Sequence, residues 1–465
     1  MFVMQSSQPK KNKVNLSDYN YQKDIKNRLW ISSLSPIDIE VLREVVYGSI
    51  KTKATQIADL IDRSEAEIRP TLSKLKEYGL VSCSGNNIEV SKDVRKDLVR
   101  EIEKYEEDFH PGIPYLRKLL GKVPMHILPS WYSVPRMADN IVTSIIEKSL
   151  ETPKAYREYL SELDIKDPVP TAIAEEVFAS DDFMVRAHVI CERYELSREQ
   201  LEEYVLLLEF NLVCCISPIF IENEWVDVIT PFSEWREYLR YIRDTTPIGL
   251  EGSKAENIKR RHPSNFGFIE DLEWILNQLR DAPASKVQLQ TASDNSPCVE
   301  LSHALNKLLK LEFISESDSL FHCTSEAKQW MSLGAFEKSM DLYRNPLNEL
   351  QCKGLPQQIV SDRNHRLVER ALLRIIPTGW VTFDAFMESI MEPIGSSEPS
   401  KLERIRAGEW RYSIPQLSDF DRELVRRIIF DRLYEIGITT TGTIDGKDCF
   451  SAWRFVLHST MKSSA

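Results

Sequence analysis

The chain has 465 residues, 42 % of them hydrophobic and 28 % charged, which suffices for two to four domains with real cores and argues against wholesale disorder. No run approaches the eighteen apolar residues of a membrane helix, and the polar amino terminus lacks the apolar middle of a secretory signal, so a cytoplasmic protein with no membrane partner is expected. The net charge of −12 resides in one block, residues 106–250, with 14 basic and 26 acidic side chains, which should repel a phosphate backbone.

Residues 1–29 carry a net +4, including Lys10, Lys11 and Lys13, and are expected to be a disordered basic tail. Residues 30–105 give the clearest local pattern. Apolar side chains recur at helical spacing over Ile37–Val46 and again over Ala54–Ile61. Ser64 and Glu67 form an S-x-x-E capping box opening a third helix to Tyr78, and Gly79 closes it in the left-handed region. Strands at 80–83 and 88–90 flank the polar turn at 84–87. Three helices and a two-stranded ribbon spell a winged helix-turn-helix, with Ile68, Leu72 and Leu75 packing the third helix onto the others.

Residues 106–168 hold five prolines between 111 and 135, an amphipathic run from Met137 to Leu150 and the stripe Tyr156, Tyr159, Leu160 and Leu163. They read as a helical insert. The winged-helix layout then recurs at 169–245, where helices 186–194 and 197–210 end at Asn211 as a left-handed stop. A linker at 246–265, with the basic cluster Lys259, Arg260 and Arg261, precedes a third module at 266–344, stopped at Glu312. A second linker at 345–361 precedes a C-terminal domain at 362–465, whose long helix 419–436 is closed by Gly437. Ser91, Thr230, Thr324 and Ser451 follow the four ribbons and suit helix capping. The expected fold is mainly α with small β-ribbons: tandem winged helix-turn-helix modules joined by helical inserts.

No phosphate-binding loop, nucleophile elbow, zinc-protease motif or kinase signature is present. Eight cysteines contain no C-x-x-C pair, and neither His322-Cys323 nor Cys298 with His303 offers two close ligand pairs for structural zinc. No catalytic residue, metal or cofactor is therefore expected. For nucleic acid, the first recognition helix offers Arg69, Lys74 and Lys76, and the first linker offers Lys259, Arg260 and Arg261. Glu65 and Glu67 at the helix tip repel phosphate, so any DNA binding should be weak. The acidic block reads either as a solvated face or as a docking surface for a basic partner protein.

The carboxy-terminal third carries the most specific pattern: the apolar helix 367–376, then Gly379-Trp-Val381, a second helix, Trp410-Arg-Tyr412, and the long helix ending at Gly437 before an apolar ribbon. This arrangement resembles the helicase-associated winged-helix region found beside bacterial XPB-type helicases, the XPB N-terminal domain family, over about residues 360–460. The motor, with its phosphate loop and acidic ATPase motif, is absent from the sequence, so the resemblance carries over no helicase activity and no functional residue. Trp380, Trp410 and Trp453 are expected to anchor module cores, and Arg422, Arg426 and Arg427 to lie on a salt-bridged, solvated face. The expected function is a non-catalytic adaptor or accessory subunit of a bacterial DNA-transaction assembly, for helicase or transcription and repair work. It would act by protein–protein contact, with a helicase motor or polymerase subunit as the kind of partner. The alternative is a winged-helix DNA-binding transcriptional regulator.

Overall fold

A computed structural model describes residues 13–135, 140–293, 298–344 and 354–453. The protein is mainly α-helical, with small antiparallel sheets of two to four strands among the described residues. No helix among them is long and apolar enough to cross a membrane. The chain forms two compact units: Met1–Arg240 with Lys401–Ser413, and Tyr241–Ser400 with Ile414–Ala465.

The first unit begins earlier than composition suggests. Within the expected tail, Tyr21–Ser32 is a helix that buries Ile25, Arg28 and Ile31. Its lysines sit on the outer face, so a net positive count concealed an amphipathic helix. Residues 1–12, including Lys10 and Lys11, lie outside the described part. Helix Pro36–Tyr47 starts with a Ser35–Asp38 capping box and a proline in its first turn. Ala54–Leu60 and Glu65–Glu77 follow, the latter opened by the Ser64–Glu67 box, and Gly79 adopts φ +84°. Ile68, Leu72 and Leu75 are all buried. Strands Val81–Ser84 and Asn87–Val90 are joined by a third, Lys51–Lys53, which sequence periodicity did not reveal because three residues carry no pattern.

Helix Arg198–Phe210 is the axis of this unit. A helix leaves its last carbonyls without partners. Here the hydroxyls of Tyr132, Tyr159 and Tyr156 donate to the carbonyls of Phe210, Asn211 and Leu212 in turn. Those tyrosines come from the 106–168 insert, which therefore caps the helix as well as packing on it. Leu212, at φ +58°, takes the left-handed turn expected of Asn211, which stays at φ −84°. The hairpin Leu402–Arg406 with Glu409–Tyr412 belongs to this unit too. Leu402 N donates to Glu151 O at 2.7 Å and Tyr412 Oη to Leu150 O at 2.7 Å, while the Tyr412 ring meets Trp235 and Tyr238 edge-on.

The second unit has one continuous core running from Phe268 through Trp330, Val368 and Phe386 to Phe450. The expected boundary at 345–361 therefore separates no cores, and residues 362–465 are not self-contained. The expected linker 246–265 contributes strand Lys259–Arg260, which pairs with Thr439–Ile444. Helix Asp419–Arg427 continues into wider turns over Ile428–Leu433, and Gly437 ends the run at φ +72°. Of the four proposed caps, Thr324 receives Ala327 N, and Ser91 occupies the cap position without a side-chain bond. Thr230 and Ser451 lie inside strands instead.

The tryptophan expectation also changes. Trp380 and Trp410 are only half-buried, and Trp453 is exposed. The enclosed indoles are Trp131 and Trp235 in the first unit, with Trp330 nearly as buried in the second. A tryptophan's area can be buried anywhere, and the pattern around Trp380 did not reveal which side of its turn faces solvent.

Candidate functional site

Six elements of the first unit converge on a core of charge. Arg28, wholly buried on helix Tyr21–Ser32, holds Glu209 through both guanidinium branches, at 3.0 and 2.5 Å. Tyr115 donates to the same carboxylate at 3.0 Å. Lys122 bridges Asp24 and Glu101 at 2.5 and 2.8 Å, Lys104 pairs with Glu101 at 2.9 Å, and Arg198 joins Glu202 to Asp227. Burial disfavours the Glu209 carboxylate, but the Arg28 charge outweighs it and holds the group below the usual carboxylate range. Glu202 is paired with Arg198 at 2.7 Å, yet its burial outweighs that charge and raises it. A cavity of about 20 Å³ beside Arg28, Arg198 and Glu202 has room for about one water molecule.

Above this network, the connection Tyr105–Pro111 forms a ridge shared by two grooves. The first groove, of about 900 Å³, is walled by the 103–118 segment, by Ser233, Glu234 and Glu237, and by the hairpin tip Arg406–Arg411. Its charges are mostly matched: Lys118 pairs with Glu103 at 2.5 Å, Arg411 with Glu237 at 3.1 Å, and Arg406 with Glu409. Glu234 differs. Burial, its main influence, pushes its carboxyl up to about 7, while Ile113 N donates to it at 2.8 Å and Ser233 Oγ at 3.3 Å. A Cβ at Gly112 would stand 2.5 Å from both Glu234 Oε1 and Ser233 Oγ, so a larger residue there would force these side chains to move.

The second groove, of about 570 Å³, lies on the other side of the ridge. Its floor is aromatic: Trp225 packs against Tyr105 and Phe220, both with centroids 5.0 Å away, and Phe220 is 53 % exposed. Ile219, Met184 and Pro111 extend the apolar wall. Arg236 and Arg240 share one face of helix Ser233–Asp244, and Arg43 enters from helix Pro36–Tyr47. The size and the mixture of apolar wall with a few polar groups match a binding cleft.

The sequence-derived nucleic-acid candidates do not gather into one site. Arg69 pairs with Glu65 at 3.0 Å, and Lys74 holds buried Asp38 at 2.6 Å. Burial disfavours the Asp38 carboxylate, yet hydrogen bonds from Lys74, Thr71 and Ser35 keep it below its ordinary value. Lys76 is exposed. In the second unit, Lys259 and Arg260 are exposed on an edge strand, with the Arg260 guanidinium 5.3 Å over the Trp380 ring. Arg261 instead grips Glu300 and the Phe430 carbonyl and lies 4.1 Å over Tyr434. Arg422, Arg426 and Arg427 pair with Asp384, Asp448 and Glu423 on a half-exposed face. The grooves were missed because their walls come from segments near 40, 108, 218, 236 and 409. The only local signal was the density of aromatic and proline residues between Phe109 and Pro114.

Among the described residues, no group of three or more His, Cys, Asp or Glu side chains is arranged to hold a metal ion. Comparison with known proteins finds no matching family model, no matching curated protein and no matching solved structure.

Proposed function

We propose that the protein is a non-catalytic adaptor that holds a segment of another protein in the paired grooves of its first unit. The observation that carries this reading is the second groove, with Phe220 and Trp225 presented to solvent beside half-buried arginines. Aromatic and arginine side chains are the groups that anchor protein interfaces. Burial raises the thiols of Cys191, Cys214, Cys215, Cys298, Cys323 and Cys449 above their ordinary value, so none is primed as a nucleophile at neutral pH. The setting in a bacterial DNA-transaction assembly rests on the resemblance of residues 360–460 to the helicase-associated family. Direct DNA reading has less support, because Arg69, Lys74 and Arg261 are engaged in internal ion pairs.

The test is co-purification of the tagged full chain from its native host, beside Phe220→Glu. The wild type should retain a defined partner that the variant loses. No partner at all, or one held equally by both proteins, would defeat the adaptor reading.

A further inference from the structure

Among the described residues, Arg236 is a half-buried charge without an ion pair. Its Nη1 meets only the Met184 sulfur and Thr230 Oγ1, each at 3.4 Å, and its buried Nε has no hydrogen-bond partner. One turn on, Arg240 donates to the Asp182 carbonyl at 3.3 Å. Among the described residues no carboxylate forms an ion pair with Arg236, Arg240 or Arg43; the Asp182 and Glu237 charges reach Arg236 only through space, and Glu237 is engaged by Arg411. The acids that reach this groove stand elsewhere: Glu40 shares the helix of Arg43, Glu106 accepts from Tyr47 Oη at 2.8 Å, and Glu107 is exposed on the rim. Burial, reinforced by the neighbouring Arg240 charge, lowers the affinity of Arg236 for its proton in spite of the more distant Glu237 and Asp182 carboxylates. Elsewhere in the same unit, Arg28, Arg198 and Lys122 are each matched by carboxylates. An uncompensated arginine pair is costly unless something outside the chain completes it.

The neighbouring strand restricts how a segment could lie there. Cys214–Ile221 is the edge of its sheet. Ile216 N points away from the paired strand and donates to Glu209 Oε1 at 3.3 Å. Backbone direction alternates, so the next outward position is Pro218, which has no N–H. An added strand would lose its donor there, which favours recognition through side chains.

We propose that Arg236 and Arg240 clamp a carboxylate of a partner peptide, an Asp or Glu side chain, whose large apolar neighbour packs on Phe220 and Trp225. The inference rests on the adaptor reading and sharpens it. Although the 106–250 block is acidic as a whole, this groove selects an acidic segment, not a basic one. Guanidinium pairs bind carboxylates in a planar, two-pronged geometry, and the aromatic floor supplies the apolar half.

The test is selection of a random peptide phage library on the immobilised full-length protein, followed by calorimetry of synthetic peptides. Enriched sequences should place Asp or Glu within one or two residues of an aromatic or large aliphatic side chain. Arg240→Gln, on a half-exposed helix face, should weaken the best peptide about tenfold or more while leaving Tm within a degree or two. Arg236→Gln should do the same, as should replacing the peptide's acid by its amide. Enriched peptides without an acid, or unmoved by both arginine variants, would overturn this inference and leave the docking groove standing. No enrichment at all would bring down the docking groove with it. A phosphoserine version more than tenfold tighter than the carboxylate would reassign the clamp to phosphate.

Discussion

Two regions of the first unit bury charged groups, and they treat them in opposite ways. In the network around helix Arg198–Phe210, Arg28 meets Glu209 through both branches and Glu209 stays ionised. At the grooves, Glu234 is buried against backbone and serine donors, and Arg236 is half-buried with no carboxylate among the described residues in an ion pair with it. Close ion pairs tie segments near residues 24, 101, 122 and 202 into a scaffold. Incomplete pairing a few residues away leaves a site whose charges await an outside partner. The contrast, more than burial alone, separates architecture from a place where binding can act.

The strongest way to break the comparison is Arg28→Ala. Removing one member of a fully buried pair leaves Glu209 unmatched and should cost about 3–5 kcal/mol, read as a shift in the urea midpoint without a change in slope. A loss below about 1 kcal/mol would show that the network is not a scaffold.

Glu234 should give the next largest effect, and its sign is fixed by the direction of its shift. The folded state keeps the proton to about pH 7, whereas an unfolded glutamate loses it near its ordinary value of 4.5. Between those values the native state binds more protons, so this group's stabilisation is present at low pH and is lost as pH rises towards neutrality. The change is up to roughly 3 kcal/mol. Glu234→Gln, which keeps the acceptor for Ile113 N, should be flatter over that window than wild type in paired unfolding curves. Parallel curves would place Glu234 with the paired groups.

Arg236→Met tests the other half of the contrast. Replacing an unmatched charge with an apolar side chain of similar length should be neutral or mildly stabilising, within about 1 kcal/mol, while peptide binding is lost. A loss of several kcal/mol would mean that Arg236 is structural.

The smallest effect belongs to a water-facing pair in the second unit. His303 Nε2 lies 2.7 Å from Glu435 Oε1, and Lys307 holds the other oxygen at 2.7 Å. The Glu435 hydrogen bond outweighs burial and raises the histidine's proton affinity. Its stabilisation is therefore full below about pH 6.5 and fades as pH rises through the folded-state value. With the His303 side chain 41 % exposed, the contribution should stay below about 1 kcal/mol. Comparing Tm of wild type and His303→Ala at pH 6 and pH 9 reads it directly: the gap should narrow at pH 9.

Local order was legible in the sequence, while long-range assembly was not. The Ser64–Glu67 box, Gly79, Gly437 and the stripe Tyr156, Tyr159, Leu160, Leu163 all act through residues three or four positions apart, and each is found where periodicity and capping chemistry put it. Unit boundaries failed where a short segment crosses over, as strand Lys259–Arg260 does in joining Thr439–Ile444. The grooves were invisible for the same reason. Nothing local to Arg236 says that Phe220 lies across from it, or that its charge has no counterpart.

The hairpin Leu402–Tyr412 carries a consequence for how the protein is made. Its tip walls the first groove, yet it is encoded after residues 241–400, which form the other unit. A ribosome adding about 5–20 residues per second needs roughly 10–35 s to travel from Arg240 to Ser413. For that interval the nascent first unit lacks its hairpin, and Trp235 and Tyr238 lack the Tyr412 ring that later packs edge-on against them. Completion of the first groove therefore waits until the whole 241–400 segment has been made, and a chain stalled within that segment would lack the groove's hairpin wall.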